Sequence, residues 1–343
     1  MVKLLAILLF SFAATFAAAV PFINLLYRLK FQRQHESQKD IFGQFTSVVN
    51  RLHSWKVGTP NAGGVLIIFV TIILSVIFYK IVPGYDIRTK AFGFNWVAVI
   101  LYVTLIGFGL LGLYDDIRKF YGFKLAGAWG LRLRYKFILQ LVLAFFIAWL
   151  LFAKLDLSIV HVPFIDRNVN FGLWFIPFSA FVIVATTNAV NIADGLDGLA
   201  TGVLIIALIA FWFLASSAGF HDVSLFVAVT VGSLLAFLYF NIYPARVWLG
   251  DTGALSLGAM LAVIALLINA SLVLPFVGLI FVVEAISSLL QIFSKAVFKR
   301  RIFIAAPLHH HFEAKGWDET KVTMRFWLVG ALAAFIGLFI ALI

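Results

Sequence analysis

The sequence has 343 residues, 63% of them hydrophobic and 12% charged, with a mean hydropathy of +1.07. A water-soluble domain of this size does not carry that balance, so the chain belongs in a bilayer. Its net charge of +11 follows from loop topology and attraction to anionic lipid rather than from a nucleic-acid partner, and none is expected. Cysteine is absent, which excludes a disulfide framework and thiolate metal sites.

Crossing about 30 Å of hydrocarbon takes roughly 20 helical residues. Ten apolar stretches reach that length, near 4–27, 62–81, 95–113, 136–153, 173–190, 199–219, 223–240, 254–271, 273–294 and 324–343. The first, preceded by Lys3 and containing Ala17, Ala18 and Ala19, is too long for a cleaved signal peptide and reads as a retained helix. The gaps are too short for a soluble domain. Residues 1–343 therefore form one all-α, polytopic membrane domain of about ten transmembrane helices. The odd-numbered loops hold 20 of the Lys and Arg residues and the other side six. By the positive-inside rule the odd loops are cytoplasmic and both termini lie on the periplasmic, outer side.

Acidic residues near a membrane are expensive and tend to mark function. Ten of fifteen fall in the odd loops or the helix ends beside them: Glu36, Asp40, Asp115, Asp116, Asp194, Asp197, Asp251, Glu313, Asp318 and Glu319. Asp115 and Asp116 end the third run, followed by Arg118 and Lys119. Adjacent carboxylates stay ionised beside a divalent cation or basic neighbours, although a solvated helix end carries the same pattern. Asn188, Asn191 and Asp194 are three apart and share one side of a helix end, with Asp197 in the Gly-rich turn that follows.

Between the seventh and eighth runs, Asn241 to Gly253 contains Trp248, Gly250, Asp251 and Gly253. The glycines permit close backbone approach, and Asp251 offers the hard oxygen that Mg²⁺ prefers. Trp248 fits either an interfacial anchor or a ring stacked on a base. In the last cytoplasmic loop, Pro307-Leu308-His309-His310-His311-Phe312-Glu313 follows Lys299-Arg300-Arg301. Three consecutive His side chains point in different directions, which argues against zinc and for phosphate contact. Glu284, within the ninth run, either pairs inside the bundle or marks a break in its helix. His161 and His221 fall in outward loops and read as solvated.

These segments, together with Lys56-Val57-Gly58-Thr59-Pro60-Asn61-Ala62-Gly63-Gly64, resemble the polyprenyl-phosphate N-acetylhexosamine-1-phosphate transferases over nearly the whole chain. The Pro307 to Glu313 string followed by Lys315-Gly316-Trp317 is most similar to the branch that acts on phospho-N-acetylmuramoyl-pentapeptide. The resemblance implies ten transmembrane helices, a cytoplasmic groove, a homodimer and Mg²⁺. It implies transfer of phospho-MurNAc-pentapeptide from UDP-MurNAc-pentapeptide to undecaprenyl phosphate in the membrane lipid, with release of UMP. Phosphoryl transfer of this kind depends on alignment and charge neutralisation.

The roles it implies are Asp251 and Asp116 as metal ligands and Asp115, Asp116, Asp251 and His309 as catalytic residues. Lys119, Lys136 and His309 neutralise phosphate. Asn188, Asn191, Asp194, Asp197 and Asn241 hold the nucleotide diphosphate, with Trp248 against the uracil and Lys56 nearby. Gln291, His310 and His311 complete the substrate-binding set. Asn61-Ala62, Tyr243, Ala193, Arg132 and Arg134 depart from the branch's usual pattern and bear on nucleotide contact. A sister transferase using UDP-GlcNAc is the nearest alternative. A transporter or lipid flippase would place its key polar groups near the midplane rather than at helix ends.

Overall fold

The computed structural model describes residues 2–32, 56–82, 95–120 and 133–343. Glu36, Asp40, Arg132 and part of the basic-loop pattern lie outside the described residues. The helices are α1 (Val2–Arg28), α2 (Gly64–Ile81), α3 (Trp96–Phe120), α4 (Leu133–Leu155), α5 (Phe175–Ala193), α6 (Leu199–Ser217), α7 (His221–Asn241), α8 (Gly250–Leu267), the single turn α9 (Leu274–Val277), α10 (Leu279–Val297), α11 (Leu308–Ala314) and α12 (Glu319–Leu342). Among the described residues ten of these, all but α9 and α11, are long and apolar enough to cross a membrane. The chain is a multi-pass membrane protein.

Several boundaries differ from those read in the sequence: α3 runs on to Phe120 and α12 begins at Glu319. α8 begins at Gly250 rather than Ala254, because the N–H groups of its first turn find a carboxylate acceptor described below. The ninth run is divided: Pro275 sits at the start of α9, where its missing N–H is tolerated, and Gly278 separates that turn from α10. The loop between α4 and α5 holds a hairpin that the apolar runs could not reveal. Strands β1 (Ile159–Val162) and β2 (Arg167–Asn170) pair antiparallel from Ile159 with Asn170 to Val162 with Arg167. His161 lies in this hairpin, and its N–H donates to Asn269 Oδ1 at 3.0 Å beyond the end of α8.

α8 is the central helix. Every residue in it except Asp251 is buried, and α2, α3, α5 and α6 pack around it. α7 is nearly as enclosed, between α1, α2 and α6. The outer helices turn large apolar residues outward, such as Leu9 on α1, Trp149 on α4 and Phe335 and Phe339 on α12. In water such surfaces would aggregate; in lipid they are ordinary.

Apolar burial does not favour one helix pair over another within lipid, so close packing at small residues decides which helices meet. A Cβ on Gly112 of α3 would lie 2.3 Å from the carbonyl oxygen of Asp251, and one on Gly64 of α2 would lie 2.2 Å from Gly253 Cα. Both neighbours are backbone and cannot yield. Gly112→Ala is therefore expected to lower the thermal midpoint of the detergent-purified protein, by overpacking of about 1–3 kcal/mol. Gly107→Ala, whose Cβ would meet only a Leu143 methyl at 3.3 Å, should leave the midpoint nearly unchanged.

Candidate active site

The C-terminal ends of α3, α5, α7 and α10 and the N-terminal ends of α4, α6, α8 and α12 fall on one side of the bundle, as alternating spans require. The predicted polar residues gather there in three groups, linked by the Asp194–Gly198 turn between α5 and α6.

The first group joins α3, α4 and α8. Asp116 is fully buried and accepts the N–H groups of Asp251 at 3.2 Å and Thr252 at 3.0 Å, the Thr252 hydroxyl at 2.7 Å and the Asn61 amide at 3.3 Å. A carboxylate thus caps the positive end of α8. Gly250 has φ of +74°, and a Cβ there would lie 2.9 Å from Asp116 Oδ2, so glycine is required for this approach. Beside the cap, Asp251 Oδ2 receives Lys119 Nζ at 2.6 Å and Lys136 Nζ at 2.5 Å. The same two ammonium groups reach Asp115 Oδ2 at 3.3 and 3.0 Å. Asp194 faces this group; burial, with the charges of Asp251 and Asp116, pushes its carboxyl up to about 7.

The second group is a buried joint. Lys56 Nζ lies 2.9 Å from Asp197 Oδ1 and 2.5 Å from Glu319 Oε1. Asp197 also accepts Trp248 Nε1 at 3.1 Å and the Ala245 N–H at 2.9 Å, while its own N–H donates to Glu319 at 2.6 Å. Asn241 accepts the Thr201 hydroxyl at 2.7 Å and donates to Val247 O at 3.0 Å. Lys56, Asp197 and Asn241 are each at most 3% exposed. They fasten the segments before α2, α6, α8 and α12 together and hold the half-buried Trp248 ring by its edge.

The third group is the His segment on α11. The three rings take different hydrogen-bond partners, although those of His309 and His310 meet edge to face with centroids 4.2 Å apart. His309 Nδ1 meets Glu284 Oε2 at 2.9 Å, His310 Nδ1 meets Glu313 Oε2 at 2.7 Å, and His311 Nδ1 accepts the Ile304 N–H at 3.2 Å. Desolvation and the nearby Lys315 ammonium lower the His311 pKa. Gln291 bonds the backbone of Ile302 and Phe303, with each bond at 3.0 Å. Asn188 donates to Gln140 Oε1 at 2.7 Å and to Val184 O at 2.8 Å, and Asn191 lies half-buried one turn further along α5.

The structure therefore brings Asp115, Asp116, Lys119, Lys136, Asp194 and Asp251 to one point. It sets Lys56, Asp197, Asn241 and Trp248 beside it, and turns Gln291, His310 and His311 toward their own loop. Thr252 and Gln140 were missed, while Glu319 was singled out among the acidic residues and Glu284 as pairing inside the bundle, in each case without its partner.

Four carboxylates surround two ammonium groups in the first group, an anionic excess in a largely enclosed place. Hard oxygen donors without sulfur match Mg²⁺, which takes one or two carboxylates and completes its shell with water and phosphate oxygens. Among the described residues no set of three His, Cys, Asp or Glu forms a ready cage. The donor set fits Mg²⁺.

Asp116→Asn would retain one acceptor oxygen where the carboxylate offers two. Loss of the cap is expected to destabilise the substrate-free protein by about 1–3 kcal/mol, read as a lower thermal midpoint; an unchanged midpoint would contradict the capping role.

Comparison with known proteins identifies the family. The sequence pattern of glycosyl transferase family 4 matches residues 97–269, a stretch that runs from α3 to the end of α8. The phospho-N-acetylmuramoyl-pentapeptide-transferase of Caldanaerobacter subterraneus subsp. tengcongensis is 38% identical over 337 residues, covering 98% of each chain. Those of Staphylococcus saprophyticus and Clostridium perfringens are 37% and 36% identical, covering 99% and 98% of each chain. At that identity over nearly full length, the chain belongs to the phospho-N-acetylmuramoyl-pentapeptide-transferase family.

Proposed function

We propose that this protein transfers phospho-MurNAc-pentapeptide from UDP-MurNAc-pentapeptide to undecaprenyl phosphate, giving the undecaprenyl-diphospho-sugar (lipid I) and UMP for peptidoglycan synthesis. The observation that carries the reading is the junction of Asp115, Asp116, Asp194 and Asp251 with Lys119 and Lys136, in a chain matched end to end by transferases of that name. The site faces the cytoplasm across the bacterial inner membrane, both termini lie outside, and the protein works as a homodimer.

In the reaction an oxygen of the lipid phosphate attacks the sugar-linked phosphorus, the bond from that phosphorus to the UMP oxygen breaks, and UMP leaves with the bonding electrons. Lys119 and Lys136 already stand between two carboxylates, and they exchange carboxylate for phosphate oxygens as the diphosphate enters. Asp251 and Asp116 would hold Mg²⁺, Asp116 by giving up some of the four hydrogen bonds its oxygens now accept, with Asp115 and Asp194 beside them. When bound, the ion neutralises charge on the diphosphate and leaving group as a Lewis acid. His309 adds a polar contact to the phosphates. Lys56, Asp197 and Asn241 act by holding the segment that carries Trp248, whose ring packs against the uracil. Asn188 and Asn191 line the path from α5, while Gln291, His310 and His311 shape the His segment.

A lipid phosphomonoester has its second pKa near neutrality, so its oxygen is largely ionised before attack and needs little help from a base. The test is UMP release by detergent-purified protein with Mg²⁺, undecaprenyl phosphate and either UDP-MurNAc-pentapeptide or UDP-GlcNAc. Turnover of the muramoyl donor alone is expected; turnover of UDP-GlcNAc in its place would move the chain to the sister branch.

A further inference from the structure

α10 carries a polar stripe that lipid contact cannot explain. Glu284, Ser287, Gln291 and Ser294 recur at intervals of three, four and three, which keeps them on one helix face, and all four are buried. Each bonds the return segment 300–309. Ser294 Oγ donates to Arg300 O at 2.9 Å, Gln291 grips Ile302 and Phe303, and Ser287 Oγ accepts the Leu308 N–H at 3.0 Å. The stripe ends at Glu284, where it meets a side chain assigned to the reaction. Glu284 Oε1 accepts the backbone N–H of His309 at 3.1 Å and Oε2 meets its ring Nδ1 at 2.9 Å. Both residues are fully buried, and His309 Nε2 has no hydrogen-bond partner among the described residues.

We propose that Glu284 is the positioning residue for His309, fixing its ring as the Nδ1–H tautomer and presenting Nε2 to the turn at Asp194 and Gly195. A backbone N–H can only donate, so Glu284 Oε1 is an acceptor. An ionised carboxylate accepts at both oxygens, which leaves the ring nitrogen as donor. The opposite nitrogen then carries the lone pair. That nitrogen lies against Gly195, where an added Cβ would be 2.3 Å away, so any side chain at this position would displace the ring. In this tautomer Nε2 accepts a hydrogen bond or a proton and donates to phosphate only once protonated, with Glu284 as counter-charge behind the ring. The inference rests on the reading that His309 contacts the substrate phosphates.

The test pairs a spectroscopic and a kinetic readout on the full-length protein. ¹⁵N-histidine labelling, with His309 identified by the signals lost in His309→Asn, should show Nδ1 protonated and Nε2 bare in the substrate-free enzyme. Glu284→Met, of similar size without an acceptor, should scramble that pattern. It should also lower kcat by about tenfold to hundredfold, the loss found when the carboxylate that orients a metal-ligating histidine is removed, with KM for the UDP-sugar little changed. Glu284→Gln keeps one acceptor and should recover part of both. A bare Nδ1 in the parent enzyme, an unaltered pattern in Glu284→Met, or a Gln variant no better than Met would overturn the proposal. A fully active His309→Ala enzyme would instead overturn the assignment of His309 to the reaction, and the nitrogen signals would still decide the pairing.

Discussion

The carboxylate of Asp116 at the start of α8 is the interaction on which the rest depends. α8 sits inside the bundle, where the orphan N–H groups of a helix start have little water to meet and each unmet group is costly. Asp116 accepts two of them and the Thr252 hydroxyl as well. That places a negative charge at the positive end of the helix and ties α3 to α8 within a turn of Gly112, where their backbones touch. It also sets the direction of Asp251, the one residue of α8 that is not buried.

The second constraint is charge. Lys119 and Lys136 each reach both Asp115 and Asp251, so the two cations are held without committing either to one partner. Buried ion pairs of this kind are poor sources of stability, because desolvation offsets their attraction. On the proposed function their value is preorganisation: cations and acidic oxygens stand ready in a partly enclosed space before a diphosphate arrives. An excess of carboxylate over ammonium leaves room for a divalent ion; burial, and after it the charges of Asp251 and Asp116, raises the pKa of Asp194.

Much of this was legible in the sequence because the bilayer imposes a strict length and an aversion to charge. The ten spans follow from apolar run length, and the acidic residues stand out against them. The limits were those of spacing. Asp194 and Asp197 read as one cluster, yet the turn between them faces in two directions, Asp194 toward α8 and Asp197 toward Lys56 and Glu319. Lys56 lies 141 positions from Asp197, and no local pattern predicts that pair. Glu284 and His309 were each singled out but not joined, because their meeting depends on how the segment after α10 folds back. The β1–β2 hairpin was too short to register against the long apolar runs.

The account centres on Asp251 and Asp116 as the place where Mg²⁺ meets the diphosphate. The most direct measurement is a Mg²⁺ titration of purified parent and Asp251→Asn proteins, following both thermal midpoint and UMP release, with helix content checked by circular dichroism. The prediction is that Mg²⁺ raises midpoint and turnover in the parent, while the variant, equally helical, responds in neither. Equal Mg²⁺ responses in the two proteins would contradict it.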